Sequence, residues 1–429
     1  MFNKITRKVY NLFFTILLPL LFLKLLIKSI KLRAYRDRWL ERLGIFNLPT
    51  SGKNNIWIHA VSVGEVIAAI PIIQKIKEQL PNISIVLTCT TPAGSAIIKQ
   101  KLSNSVLHLY FPFDVNFAIN NFLRKIQPKL LIIIEKEIWP NLILNCNQHK
   151  IPIIIANAQV SNKSFYRYLL IKSLISYCLQ KITYICAQTK FDGYKLQQII
   201  GSNLANNITI TGNSKFDLAW QNSLNTDFNL SQLTSPLKNI NRPIWIAAST
   251  HPVEEQFILA AHKIILQQIP NALLILVPRH SERSQEIANN LYHENFSYTI
   301  HSDKSMLLTE QIYLVDSIGE LNMFYKLSQA AFVGGSLVPI GGHNVLEPAS
   351  FAIPIAIGPY TANCEQIVFR MKLANGLVKV KNTEDLSCII IKWLKNTNLR
   401  TIIGQNAKNY LYHQTGASEK IIKLVTDLL

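Results

Sequence analysis

From Asn54 onward, short apolar runs alternate with amphipathic stretches: "NIWIHAV", "ISIVLTC", "VLHLYFP", "KLLIIIE", "IPIIIANA", "TYICAQ" and "ITITG". Runs this short, continuous and β-branched are what parallel strands need when both sheet faces are covered. The stretches between them have helical spacing, so the pattern predicts strand–helix repetition of the doubly wound α/β kind. Residues 218–241, "LAWQNSLNTDFNLSQLTSPLKNIN", break the rhythm with Asn, Ser and Thr and read as a linker. The alternation then restarts with "PIWIAAS", "ALLILVPR", "QIYLVD", "AAFVGG" and "IPIAIG". The expected organisation is an anchor over 1–34, a Rossmann-like domain over 35–217, the linker, and a second Rossmann-like domain over 242–429 ending in a C-terminal helix. Two such sheets facing each other would make a cleft, because ligands bind outside the carboxyl ends of the strands.

The first forty residues follow another pattern. "NLFFTILLPLLFL" is almost purely apolar, and Lys24 and Lys28 interrupt its continuation. A spanning helix needs ~20 apolar residues, which residues 9–27 supply if Lys24 snorkels to the interface. No A-x-A-like cleavage site follows, which argues against a removed signal peptide. Residues 1–42 carry ten Lys and Arg against Asp37 and Glu41. An apolar stretch with basic flanks reads as an anchor in an anionic membrane, spanning it or lying in it.

Composition narrows the classes. With 429 residues and 49% hydrophobic content, two well-buried cores are within reach. The formal net charge of +19 points to an anionic partner: nucleic acid, membrane or a phosphorylated substrate. The chain shows no recognition helix and no aromatic–basic sheet motif, which disfavours nucleic acid. Six cysteines without a CxxC pair fit a reduced cytosolic setting, and neither they nor the histidines suggest a metal.

Candidate chemistry collects at strand ends. "SVGE", Ser62 to Glu65, follows the first strand. It reads equally as a capping box, Ser62 bonding the Glu65 amide while Glu65 reaches back, and as a carboxylate placed to take a proton. "IIIEKEIWPN" ends a strand with Glu135 and Glu137, which share a side if the strand continues. "TGNSKFD" brings Lys215 to another strand end, where it can act electrostatically. In the second half, "AASTHPVEE" places Ser249 and Thr250 where a helix N-terminus would bind phosphate. "LILVPRH" ends with Arg279 and His280, and "VDSIGEL" carries Gly319 and Glu320. "FVGGSLVPIGGHNVLEP" has two Gly pairs, Asn344 as a natural cap, and Glu347 in a first turn where it can hold a ribose. Their convergence suggests a nucleotide site. "KSFYRYLLIKSLISYCLQK", Lys163 to Lys181, reads as one helix, either core or an amphipathic surface for lipid.

In order along the chain, "WIHAVSVGE", "EKEIWPN", "IANAQVS", "TGNSKFD", "STH…EE", "LILVPRH", "GEL" and "FVGGSLV…GGHNVLEPA" resemble the bacterial 3-deoxy-D-manno-octulosonic acid (Kdo) transferases. The resemblance covers nearly the whole chain, including the anchor and the "RDRWLERLG" that follows it. It implies a GT-B fold and an inverting transfer of Kdo from CMP-Kdo to the 6′-hydroxyl of a lipid A precursor, lipid IVA, one or more times. It implies Glu65 as general base, with Glu135 and Lys215 stabilising the transition state. It implies CMP contacts at Pro278 and Arg279, at Ile318, Gly319 and Glu320, and at Asn344, Val345, Leu346 and Glu347. No metal or other cofactor is expected. The implied setting is the cytoplasmic face of the inner membrane, with its anionic lipids as partners. The acidic pair here is Glu-Lys-Glu, where the family often has Glu-Thr-Glu. The alternative is a GT-B enzyme using a UDP-sugar and another lipid acceptor.

Overall fold

The computed structural model describes residues 2–47, 55–103, 105–201, 207–224, 242–303 and 309–429. The first sheet contains β1 (Asn55–His59), β2 (Ser84–Cys89), β3 (Leu107–Tyr110), β4 (Pro128–Ile134), β5 (Ile153–Ala158), β6 (Tyr184–Ala187) and β7 (Ile208–Ile210). Their order is β3-β2-β1-β4-β5-β6-β7. The second contains β8 (Ile244–Thr250), β9 (Leu273–Pro278), β10 (Tyr298–Ile300), β11 (Ile312–Leu314), β12 (Ala330–Val333), β13 (Ile355–Ile357) and β14 (Leu377–Lys379), in the order β10-β11-β9-β8-β12-β13-β14. Every pairing is parallel.

The isoleucine-rich runs behave as doubly covered strands should. Trp57, Leu131 and Ile133 face one core of the first sheet, while Ile56, Ile58, Leu130, Ile132 and Ile134 face the other. Successive side chains point to opposite faces, so a strand buried on both is apolar at most positions, with fully buried polar residues such as His59, Thr88 and Asn157 near the carboxyl ends. Each sheet reverses its order once. The chain moves outward from β1 to β3 and resumes at β4 on the other flank of β1; in the second sheet it resumes at β12 beside β8. These reversals are where ligands of α/β sheets bind.

The chain divides into one compact unit of Met1–Leu218 with Gln414–Leu429 and another of Ala219–His413. This differs from the expected boundaries at both ends of the second domain. Residues 218–224 do not begin a linker: they continue the helix Ser214–Leu224. The remainder of the expected linker, 225–241, lies outside the described residues. The C-terminal helix Ala417–Thr426 belongs to the first unit, where Ile421, Ile422 and Val425 join the core beside Ile56 and Ile73. Asp217 fixes its start: one carboxylate oxygen accepts the Gly416 N–H and the other the Ser418 N–H, each at 2.6 Å. These are charge-assisted bonds at a helix N-terminus, the favourable end for a carboxylate.

The N-terminal helix Phe2–Lys31 contains Pro19, and its Arg7–Lys31 portion is long and apolar enough to cross a membrane. One side of it is tied to the first unit. Arg7 donates to Asn145 Oδ1 at 2.9 Å, the Tyr10 hydroxyl to Asp114 at 2.9 Å, and Asn11 Oδ1 accepts the Asn116 N–H at 2.8 Å. Further along, Phe22 packs edge-on against Phe113. Its other side leaves Val9, Leu12, Phe13, Ile16, Leu20, Leu23, Ile27 and Ile30 exposed, an apolar stripe at helical spacing.

Residues 163–181 do not form the single helix expected. A break at Ile171 separates Asn162–Leu170, which only half-buries Phe165 and Tyr168 against the core, from Lys172–Leu179, which buries Leu174, Ile175, Cys178 and Leu179. The first half leaves Tyr166 and Leu170 strongly exposed, while the second half is core.

Candidate functional site

In the first unit, Glu65 lies in the first turn of the helix Val63–Gln79, directly after β1. Its carboxylate accepts the Val61 N–H at 2.6 Å and the Ser62 hydroxyl at 3.3 Å. The capping box forms only in part. Glu65 reaches back, but to Val61, and the Ser62 side chain caps no backbone amide. The Ser62 hydroxyl turns to Glu65 instead, leaving that carboxylate oriented from two sides. Glu65 is only 5% exposed. Burial, and then the neighbouring Glu137, push its carboxyl up to about 7, while the Val61 N–H pulls the other way.

β4 stops at Ile134, so Glu135 and Glu137 are not consecutive outward positions of a strand. Glu135 adopts the left-handed region (φ 65°), and its N–H donates to the Ala156 carbonyl at 2.8 Å. A non-glycine residue there is strained, and the turn aims Glu135 at Lys215, whose Nζ donates to it at 2.8 Å. Burial raises the Glu137 carboxyl as well.

Lys215 sits in the first turn of Ser214–Leu224, the unfavourable end of a helix for a cation. Glu135 offsets that. The backbone around it is fixed by Asn157, itself left-handed (φ 58°) and fully buried. Asn157 Oδ1 accepts the Ser214 N–H at 3.0 Å, and the Ser214 hydroxyl donates to the Ala68 carbonyl at 2.8 Å. A methyl group added at Gly64 would meet Lys215 Nζ at 3.9 Å, so the ammonium lies over the turn that carries Glu65. Glu65, Glu135 and Lys215 are thus gathered at the β1/β4 reversal.

In the second unit, the residues expected to hold a nucleotide all lie at the carboxyl edge of the sheet. Pro278 ends β9, and Arg279 follows it, exposed, its N–H donating to the Thr250 carbonyl at 2.9 Å. Ile318, Gly319 and Glu320 follow β11. Ile318 is exposed, Gly319 has φ 98°, and Glu320 accepts from the Ser317 hydroxyl and pairs with His301 at 3.2 Å. Asn344, Val345, Leu346 and Glu347 open a short helix after β12. Asn344 Oδ1 accepts the Leu346 N–H at 3.1 Å, and Glu347 lies in the first turn.

Ser249 and Thr250 are not at a helix N-terminus. The helix begins at Glu254, and Thr250 lies inside β8 with its hydroxyl donating to Glu255. Sequence reasoning missed Glu254, which is fully buried. It accepts the N–H groups of Gly335 at 2.7 Å, Ser336 at 2.9 Å and Leu337 at 2.8 Å. The glycine-rich turn after β12 therefore wraps a carboxylate of this chain. Gly334 is required there, since a Cβ would fall 2.5 Å from the Ser249 carbonyl. A buried acid opposite a Gly-Gly-Ser turn was the available signal. Glu255 forms a two-pronged ion pair with Arg283, at 2.9 and 3.0 Å.

A family model described as 3-deoxy-D-manno-octulosonic-acid transferase matches residues 37–218. The chain is 37% identical to the 3-deoxy-D-manno-octulosonic acid transferase of Haemophilus influenzae, over 98% of this chain and 99% of that protein. It is 33% identical to the probable mitochondrial enzyme of that name from Arabidopsis thaliana, over 84% and 81%. Among solved structures, UDP-GlcNAc 2-epimerase of Neisseria meningitidis superposes with a TM-score of 0.61 at 14% identity, covering 87% of this chain and all of that one. MurG of Acinetobacter baumannii follows with 0.54 at 10%, covering 87% and 99%. At such identities these two speak for the GT-B fold alone. With the likeness to the Haemophilus protein running end to end, the chain belongs to the 3-deoxy-D-manno-octulosonic acid transferases, glycosyltransferases of lipopolysaccharide biosynthesis.

Proposed function

We propose that this chain transfers Kdo from CMP-Kdo to the 6′-hydroxyl of a lipid A precursor, inverting the anomeric centre in one displacement. The observation that carries the reading is the Glu65 carboxyl. It is buried, held by Val61 and Ser62, raised to about 7, and set beside the Lys215–Glu135 pair. A base works best when its pKa is near the operating pH. In this reading the acceptor hydroxyl gives its proton to Glu65 as its oxygen attacks the anomeric carbon. The bond to the CMP phosphate breaks, and CMP leaves with both electrons. Lys215, kept in place by Glu135, offsets negative charge developing near it. Arg279 and the residues after β9, β11 and β12 hold the nucleotide.

The exposed stripe of Phe2–Lys31, with Tyr166 and Leu170, supports attachment to the cytoplasmic face of the inner membrane. Because the helix is bonded to the first unit at Arg7, Tyr10 and Asn11, it fits a position lying in the interface, the lysines meeting lipid phosphates. The test is incubation of the detergent-purified chain with CMP-Kdo and lipid IVA, followed by mass spectrometry. The product should gain one or more Kdo masses. No gain, with UDP rather than CMP raising the melting temperature, overturns the reading.

A further inference from the structure

Beside Arg279, two histidines from different segments meet. His251 follows β8 and His343 precedes the helix Leu346–Ser350, so both lie at the β8/β12 reversal. Their Nε2 atoms are 2.8 Å apart, and the rings are stacked at 5.0 Å with 10° between planes. The His343 ring rests on Gly335, where a Cβ would come within 2.9 Å of it. At that separation one ring must donate and the other accept, so the pair shares one proton between the two Nε2 atoms. A further proton would put N–H against N–H and force the rings apart.

The surroundings carry positive charge. Arg279, His280 and Arg283 all act on His251, and Arg279 and His280 act on His343. The nearby carboxylates are engaged elsewhere. Glu254 accepts the His251 backbone N–H at 3.4 Å along with the Gly335, Ser336 and Leu337 amides; Glu255 holds Arg283; Glu282 faces His280 at 3.4 Å. Burial foremost, with this charge behind it, lowers His251 and brings His343 down to about 4.

We propose that the His251–His343 pair is a proton-accepting anion clamp: a nucleotide-activated sugar acid, with its phosphodiester and carboxylate, binds there with uptake of one proton from solvent. The incoming negative charge offsets the burial and the neighbouring cations that keep the pair neutral. The acceptor nitrogen gains the proton, the N–H···N contact is given up, and a ring N–H turns to the ligand. Specificity for an acidic sugar follows, because an uncharged sugar leaves that extra proton unbalanced. This rests on the donor assignment made above.

The test is the KM for CMP-Kdo at saturating acceptor from pH 5.5 to 8.5. In the unaltered protein KM should rise with pH, by up to about tenfold per pH unit before levelling. His343→Gln and His251→Gln should flatten the profile while kcat keeps its own pH dependence, which Glu65 sets. The second measurement needs no variant: the heat of CMP-Kdo binding at pH 6.5 in two buffers of unequal ionisation enthalpy should show uptake approaching one proton. A flat profile in the unaltered protein, a slope retained in both variants, or uptake near zero overturns the clamp. If CMP-Kdo neither binds nor turns over, the donor assignment itself fails; if it binds without a proton, only the histidine pair fails.

Discussion

The two sheets reverse their strand order at the same topological point but carry different titratable groups there. At β1/β4 the side chains are Glu65, Glu135 and Glu137, with Lys215 paired to Glu135 and Lys136 beside Glu137. At β8/β12 they are Arg279, His251, His280 and His343, with Arg283 behind them. Both edges use the same backbone scaffold, so the fold supplies a place and the side chains decide what it accepts. Burial with Glu137 beside it raises Glu65, which suits it to taking a proton from a hydroxyl. Arg279, with histidines able to gain a proton, suits a phosphate and a carboxylate. On the proposed reading, acid–base work and charge recognition fall to different units of one chain.

The comparison can be broken most severely at Glu65. Glu65→Gln should cost about 10²- to 10⁴-fold in kcat, the usual worth of a general base, while KM for CMP-Kdo changes little. Turnover within a few-fold of the unaltered chain would remove Glu65 from the chemistry. In the parent, kcat should rise with pH through about 7, since only the ionised carboxylate accepts a proton. Stability should move the opposite way. A carboxyl raised in the folded state binds more protons there than in the unfolded chain, so its contribution is lost as pH climbs from about 4.5 towards 7.

Next comes Glu254, the acid that the basic edge keeps for itself. Glu254→Ala leaves the Gly335, Ser336 and Leu337 N–H groups, and the more distant His251 N–H, without their acceptor, at about 1–3 kcal/mol for each group that cannot relax. Loss of at least 3 kcal/mol by denaturant unfolding is expected, with Glu65 chemistry affected only through folding. A loss below 1 kcal/mol would mean that the glycine-rich turn holds without it.

Arg279→Ala should weaken CMP binding by about tenfold, an exposed charge-assisted contact, and leave the melting temperature unchanged. Unaltered affinity by calorimetry would take the nucleotide away from this edge. The mildest effect is expected from Glu137→Gln. Glu137 is the leading charge that raises Glu65, so the midpoint of the kcat–pH profile should fall by less than one unit. A midpoint that stays in place would leave burial alone responsible.

Much of this arrangement could be read before the fold was known. The β-branched runs named both sheets, because a strand covered on two faces is apolar along most of its length. Glu65, Glu135, Lys215 and Arg279 stand out as candidates because each is a charged residue shortly after such a run. What sequence missed was which groups pair, locally as well as between distant segments. The Ser62–Glu65 box looked local and complete, yet the Ser62 hydroxyl serves Glu65 and not an amide. Ser249 and Thr250 looked like a phosphate-binding N-terminus, but the helix starts at Glu254, which meets the Gly335 turn some eighty residues later.

By itself, then, the sequence determined the two α/β sheets, the apolar N-terminal helix and the family, since these rest on periodicity and on motifs read locally. Only the tertiary structure decided that the last helix returns to the first unit, that Asp217 caps it, and that His251 meets His343. An amphipathic helix announces that it has an apolar face but not which core will cover it. A histidine likewise carries no mark of its partner. Those choices are made by loop closure and packing, whose energies depend on residues far apart in the chain.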